Sequence, residues 1–334
     1  MQVQQSIEDT LTVENLSITY STVYGTLRAL NDVNLSIARG ESVAIVGESG
    51  CGKSTLGLAV VRLLPLNAIY AAGSITLDGR DIIGMSDSQM NRTRGKSAFM
   101  IFQDPLNTLN PVKRVDIQML EAIKSRNKNE GRPFDETSAR EEVVKALADV
   151  RMPDPEIIAT RFPHELSGGQ IQRVVISMGL LMRPKLMIAD EPTSALDVTI
   201  QAQVLKLLRD LQHEYGMSII FITHDINIAY TISDRMVVMY AGEVVESAPS
   251  TDLVRHSLHP YSQALVSSIP RTTKRQGMLT AISGSPPDML EPPTGCRFNP
   301  RCPHVMDICR TTSPPQISKE KDVVKCFLYD NKHS

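Results

Sequence analysis

Ser42-Val43-Ala44-Ile45-Val46-Gly47-Glu48-Ser49-Gly50-Cys51-Gly52-Lys53-Ser54-Thr55 joins a short apolar run to a glycine-rich loop, and a helix-prone stretch follows as far as Leu64. The apolar run reads as a strand buried on both faces, as strands of parallel sheets are. Gly47 to Ser54 fits G-x-x-x-x-G-K-S, whose glycines let backbone N–H groups turn inward around phosphate oxygens, helped by the N-terminus of the next helix. Lys53 adds a point charge for the β- and γ-phosphates, and the Ser54 hydroxyl is an oxygen ligand for Mg²⁺. The pattern alone arises by chance in about one chain per hundred of this length. Strand, loop and helix in that order supply the context it requires. The candidate nucleotide-binding set is therefore Gly47, Glu48, Ser49, Gly50, Cys51, Gly52, Lys53, Ser54 and Thr55. Cys51 occupies an unconstrained loop position and reads as structural.

Outward from this loop the chain alternates strands and helices. Leu11–Tyr20 and Val33–Ile37 have the period-two pattern of half-buried strands, and Ser74–Leu77 and Ala98–Phe102 read as further strands. Leu186–Asp190, Ser218–Thr223 and Met236–Tyr240 are short apolar runs, while Glu141–Val150, Ile171–Leu181 and Gln203–Tyr215 are helical. This predicts an α/β fold of the P-loop NTPase type, with a mainly parallel sheet covered on both faces. Pro105 to Arg161 is polar and helix-prone, which predicts a helical subdomain at 105–161 inserted between core segments 1–104 and 162–247. From 248 to 334 prolines recur, including Pro286-Pro287, Pro292-Pro293 and Pro314-Pro315, and predict a separate loop-rich C-terminal unit without long helices or central strands.

The 334 residues are 42% hydrophobic and 22% charged, an ordinary globular composition. A net charge of −2 gives no reason to expect a nucleic-acid partner. No apolar stretch reaches the length of a membrane span, and Met1 to Asp9 is polar without a signal-peptide core. Cytoplasmic residence is the expectation.

Two further stretches refine the chemistry. Asp190 and Glu191 end an apolar strand, where the first carboxylate can hold Mg²⁺ through water and the second can orient or deprotonate an attacking water. Leu166-Ser167-Gly168-Gly169-Gln170 lies between the phosphate loop and that acidic strand end. A chance match to this pentapeptide is expected in about one sequence in a few thousand.

With these motifs in this order, residues 10 to 245 resemble the ATP-binding subunits of ATP-binding-cassette (ABC) transporters. In the resemblance, Gly47–Ser54 is the Walker A loop, Leu186–Asp190 is Walker B, and Leu166–Gln170 is the signature motif. Gln103 is similar to the glutamine linking Mg²⁺ and water to the membrane partner. Ser194-Ala195-Leu196-Asp197 is similar to the D-loop, and His224 to the switch histidine at the γ-phosphate. Tyr20, with Tyr24 as its alternative, is similar to the aromatic that stacks on adenine. The family implies catalytic Glu191, His224 and Gln103, with Mg²⁺ held by Ser54, Gln103 and Asp190. It also implies a head-to-tail dimer in which Ser167, Gly168, Gly169 and Gln170 complete the ATP site of a second ABC ATPase subunit, identical or paralogous.

His259-Pro260-Tyr261 within Leu258–Pro270 resembles the segment that follows the ATPase core in oligopeptide and dipeptide importers. Cys296, Cys302, Cys309 and Cys326 are spaced C-x5-C-x6-C-x16-C and crowd the last part of the chain, whereas Cys51 stands alone before them. In a reducing compartment such a cluster points to a metal site. Its spacing leaves Zn²⁺ and a [4Fe–4S] cluster both open; the resemblance to the importer subfamily favours iron–sulfur. The resemblance further implies two transmembrane permease subunits, an extracytoplasmic peptide-binding protein and a peripheral position on the cytoplasmic face of the membrane. Another solute, such as an oligosaccharide or nickel, remains an alternative. A soluble cassette ATPase of DNA repair, translation or cluster assembly is disfavoured: only 111 residues separate Ser54 from Leu166, each motif occurs once, and the His-Pro-Tyr segment is present.

Overall fold

The computed structural model describes residues 9–105, 108–194, 196–268, 282 and 284–330. Ala195, within the predicted D-loop, and Pro270, at the end of the predicted importer segment, lie outside the described residues.

Along the chain the strands are β1 (Asp9–Thr22), β2 (Gly25–Ala38), β3 (Ser42–Val46), β4 (Ala68–Leu77), β5 (Arg80–Asp81), β6 (Ala98–Ile101), β7 (Leu186–Asp190), β8 (Ser218–Thr223), β9 (Arg235–Tyr240), β10 (Glu243–Pro249), β11 (Gln316–Lys319) and β12 (Asp322–Lys325). The α-helices are α1 (Lys53–Val60), α2 (Asp87–Thr93), α3 (Val115–Glu130), α4 (Glu136–Asp149), α5 (Pro155–Ala159), α6 (Gly168–Met182), α7 (Val198–Tyr215), α8 (Ile226–Ile232), α9 (Ser250–His256), α10 (Pro260–Ser267) and α11 (Asp307–Thr311). They divide between two compact units. Among the described residues, one comprises 9–10, Ala38–Glu41 and Leu77–Ile220; the other comprises Leu11–Ile37, Ser42–Thr76 and those from Phe221 to Asp330.

In the first unit, β6 and β7 pair in parallel, from Ala98 opposite Leu186 to Ile101 opposite Ala189. Every residue of β7 is buried, as its unbroken apolar run requires. The amphipathic α6 turns Ile171, Val174, Val175, Leu180 and Leu181 inward and packs on α3 and α4. One buried cation ties these three helices together. Arg126 of α3 donates to both carboxylate oxygens of Glu142 on α4, at 2.7 and 2.8 Å, and to the Leu181 carbonyl of α6 at 2.6 Å.

In the second unit, β3 pairs in parallel with β9, from Val43 opposite Arg235 to Val46 opposite Val238. Next to β9 the pairing becomes antiparallel: β10 runs against β9, β12 against β10, and β11 against β12. The proline-rich tail thus extends the sheet that carries β3, with two strands of four residues each. Neither strand contains a proline, so both keep the N–H groups that a ladder needs. Separately, β2, β1 and β4 are neighbours in a second sheet.

The Glu142 carboxyl is held below its usual range, chiefly by its hydrogen bond to Arg126. Arg126→Met should destabilise the protein by about 1–3 kcal/mol, because the Glu142 carboxylate loses two hydrogen bonds while keeping that from Arg183 at 3.1 Å, and the Leu181 carbonyl loses the one from Arg126. A carboxyl with a lowered folded-state pKa stabilises above its unfolded value and loses that contribution as pH falls through the folded one. The gap between wild type and variant in urea unfolding should therefore be full at pH 6 and shrink below about pH 4.3.

Candidate functional site

Strand β3 delivers the phosphate loop. At Gly47 the backbone has φ +157°, and a Cβ there would lie 2.2 Å from the Met239 carbonyl oxygen of β9, so no side chain fits. The loop closes through Gly52, which sits in the left-handed region as the N-cap of α1. Lys53, 6% exposed, donates from Nζ to the carbonyls of Gly47 at 2.8 Å and Glu48 at 3.0 Å. The ammonium is thereby fixed over the loop whose N–H groups and following helix favour an anion. Burial pushes the Cys51 thiol up, so it stays neutral, in keeping with a structural position.

The Tyr20 hydroxyl donates to Thr55 Oγ1 at 3.3 Å, joining the candidate adenine-stacking residue to the first turn of α1. Tyr24 is 86% exposed on the turn between β1 and β2. His224, exposed, directly follows β8. The next residue, Asp225, caps α8 by accepting from Asn227 N at 2.8 Å and Ile228 N at 3.3 Å.

In the first unit, Gln103 and Glu191 come together: Gln103 Nε2 donates to Glu191 Oε2 at 3.1 Å. Glu191 has φ +43°, a left-handed conformation uncommon for a side-chain-bearing residue and concentrated at functional sites. Asp190, at the end of fully buried β7, is only 6% exposed. A buried strand-end carboxylate beside a strained, amide-held carboxylate can anchor a hard cation and polarise a water.

The pentapeptide is a helix start. Ser167 is the N-cap of α6; its Oγ accepts from Gln170 N at 3.3 Å, while Gln170 Oε1 accepts from Ser167 N at 2.9 Å. This reciprocal capping box was readable in the Ser-x-x-Gln spacing. Gly168 and Gly169 form the first turn of α6, and a Cβ on Gly169 would lie 2.8 Å from Ile200 Cγ2 of α7. Asp197 caps α7 in turn, accepting from Thr199 N and Ile200 N.

Residues of the C-terminal region that the sequence does not assign to the nucleotide site also reach the phosphate loop. The Arg301 guanidinium donates to both Glu48 carboxylate oxygens, at 2.8 and 3.0 Å. The Tyr261 hydroxyl accepts the Glu48 backbone N–H at 2.9 Å. Arg297 donates to the Ala241 carbonyl and pairs with Glu243 at 3.3 Å. The available signal was the His-Pro-Tyr segment, and each of its residues now has a local role. His259 Nδ1 accepts from Tyr261 N at 3.0 Å, Pro260 starts α10, and Tyr261 reaches the loop. The His259 imidazole is neutral, because burial pulls its pKa down to about 3.

The metal expectation for Cys296, Cys302, Cys309 and Cys326 is corrected. Among the described residues, no group of three or more His, Cys, Asp or Glu side chains is arranged to hold a metal ion. All four cysteines border one cavity of about 10 Å³, the limit for a single water and far too small for a cluster. Burial pushes the Cys296 thiol up to about 12 and the Cys326 thiol up to about 11. Neither iron–sulfur nor zinc fits this arrangement. The thiols instead fill a packed corner in which Cys296 N donates to the Cys309 carbonyl at 2.8 Å.

Comparison with known proteins agrees with this geometry. Residues 30–194 match the model for "ABC transporter", and residues 245–309 match "Oligopeptide/dipeptide transporter, C-terminal region". Over 324 residues the chain is 43% identical to the oligopeptide transport ATP-binding protein OppD of Escherichia coli (strain K12), covering 97% of this chain and 94% of that protein. It is 41% identical over 328 residues to the dipeptide transport ATP-binding protein DppD of Bacillus subtilis (strain 168), covering 98% and 96%. Neither description names an iron–sulfur centre. Among solved structures, a dimeric post-hydrolysis state of the ATP-binding cassette MJ0796 bound to ADP and Pi matches with a TM-score of 0.63 and 28% identity, covering 72% of this chain and 98% of that one. CbiO1 of Clostridium perfringens matches with a TM-score of 0.62 and 33% identity, covering 75% and 92%.

The capping box carries a stability prediction. Ser167→Ala should cost about 1 kcal/mol in urea unfolding, whereas Ser167→Asp, which keeps an acceptor at the N-cap, should cost less than half of that.

Proposed function

The chain belongs to the ABC transporter family, in its oligopeptide and dipeptide transport branch, and from that premise we propose that it powers import of dipeptides or oligopeptides. It does so by binding and hydrolysing ATP for partner membrane subunits. The observation that carries this reading is the continuity of the likeness: a peptide-transport relative aligns over 97% of the chain, through both the ATP-binding segment and the C-terminal region.

In this reading the phosphate loop from Gly47 to Thr55 wraps the triphosphate, and Lys53 supplies its charge. Ser54, Asp190 and Gln103 carry the oxygen donors that a small hard cation takes. Bound Mg²⁺ would neutralise charge on the β- and γ-phosphates. Glu191 accepts a proton from the attacking water. Gln103 holds one of its carboxylate oxygens and so orients the group. His224 contacts the γ-phosphate, and Tyr20 stacks on adenine. Ser167, Gly168, Gly169 and Gln170 present a helix N-terminus to ATP held by a second ATPase subunit, in a head-to-tail dimer.

The organisation we propose is a core of 1–104 and 162–247, a helical subdomain at 105–161 and an extension at 248–334. The partners are two permease subunits and, through them, an extracytoplasmic peptide-binding protein. Among the described residues no helix is long and apolar enough to cross a membrane, which supports a peripheral subunit at the cytoplasmic face.

Deleting the gene should abolish uptake of labelled di- and tripeptides and leave nickel and oligosaccharide uptake intact. Loss of either of those uptakes with normal peptide uptake would replace this reading. Glu191→Gln should retain ATP binding, lose about 10²–10⁴-fold in phosphate release, and accumulate as an ATP-bound dimer in analytical ultracentrifugation. Wild-type turnover in that variant would remove Glu191 as the base.

A further inference from the structure

We propose that Arg301 is a positioning residue for nucleotide binding: it neutralises and fixes Glu48, and so makes the affinity for ATP depend on the C-terminal extension. The inference rests on the ATP-binding role of the phosphate loop given above.

Glu48 is the second residue of that loop, so its carboxylate is carried on the backbone that must surround several phosphate charges. An unpaired carboxylate there would oppose binding and could swing across the loop. Arg301 prevents both. Its guanidinium, 4% exposed, takes both Glu48 oxygens in a bidentate pair, the geometry that adds orientation to charge. The Arg301 head is itself held in place, because it lies over the Tyr240 ring at 5.7 Å and donates to the Tyr240 hydroxyl at 3.3 Å. Hydrogen bonding to Glu48 raises its already high pKa, so its charge is permanent.

The same extension holds the Glu48 backbone. Tyr261 accepts its N–H, and the Tyr261 ring sits 4.6 Å from Tyr240 and 5.5 Å from Phe298. Phe298 and Arg301 belong to one short segment between Cys296 and Cys302, so a single stretch supplies the ring that buttresses Tyr261 and the cation that holds Glu48. Arg297 of that segment bonds the Ala241 carbonyl, and the neighbouring Gly242 N–H donates to Cys51 O at 2.9 Å in the phosphate loop. The loop is therefore gripped at Glu48 and at Cys51 by residues of the extension or by residues it holds.

The test is an ATP titration of hydrolysis, with direct ATP binding by calorimetry, on the full-length protein. Arg301→Met should raise both KM and Kd for ATP about tenfold while kcat changes less than twofold, and Arg301→Lys should fall between variant and wild type. In the double variant Glu48→Gln/Arg301→Met, which removes both charges, most of the affinity should return. A merely structural loss would not be repaired by a second substitution in the loop. Wild-type KM in Arg301→Met, or a double variant as weak as the single one, would overturn the inference. If Arg301→Met does not fold, Arg301→Lys decides, since an unchanged KM there overturns it equally. A wild-type protein with no affinity for ATP would instead overturn the ATP-binding role itself and this inference with it.

Discussion

A loop that turns its N–H groups toward an anion cannot hold its own shape, because those donors are withheld from each other. Its geometry has to be imposed from outside, and much of the second unit does this. The parallel pairing of β3 with β9 places the Met239 carbonyl so close to Gly47 that only a residue without a side chain can start the turn. Lys53 spans the loop from within, bonding two of its carbonyls. Strand β10 extends the same sheet, and β12 and β11 then continue it with main chain drawn from the last part of the sequence. The proline-rich extension is thus part of the scaffold around the loop.

Much of this was legible in the sequence. The limits of β7 and β8 follow directly from the apolar runs Leu186–Asp190 and Ser218–Thr223, because a strand buried on both faces tolerates no polar interruption. The helix after the phosphate loop ends at Val60 rather than Leu64, since the apolar pattern of Arg62 to Leu64 does not reveal where the helix stops. Arg62 itself has a positive φ, which no residue-type preference announces. Helix α6 begins at Gly168, three residues before its apolar face does, because Ser167 and Gln170 cap each other.

The least legible part was the tail. Cysteine spacing reports which residues could converge, not whether their sulfurs are deprotonated and have room for an ion between them. Burial among Phe298, Phe327 and Pro314 pushes the Cys296 thiol up and leaves little space between the sulfurs. The importance of Arg301 was hidden for a different reason. A lone arginine among prolines has no periodicity, and its partner Glu48 lies 253 residues earlier. Only the folded chain makes the two neighbours.

The capping box at Ser167 has a consequence for the polarity of its hydroxyl. The oxygen already accepts the Gln170 N–H, so one of its two lone pairs is committed inside the chain, and the proton and the second lone pair remain to be offered. A hydroxyl constrained in this way presents its remaining donor and acceptor in directions fixed by the committed lone pair, so a group that approaches Ser167 meets them already oriented. Local helix chemistry, set by two side chains three positions apart, thereby gives a direction to a group that would otherwise rotate without preference.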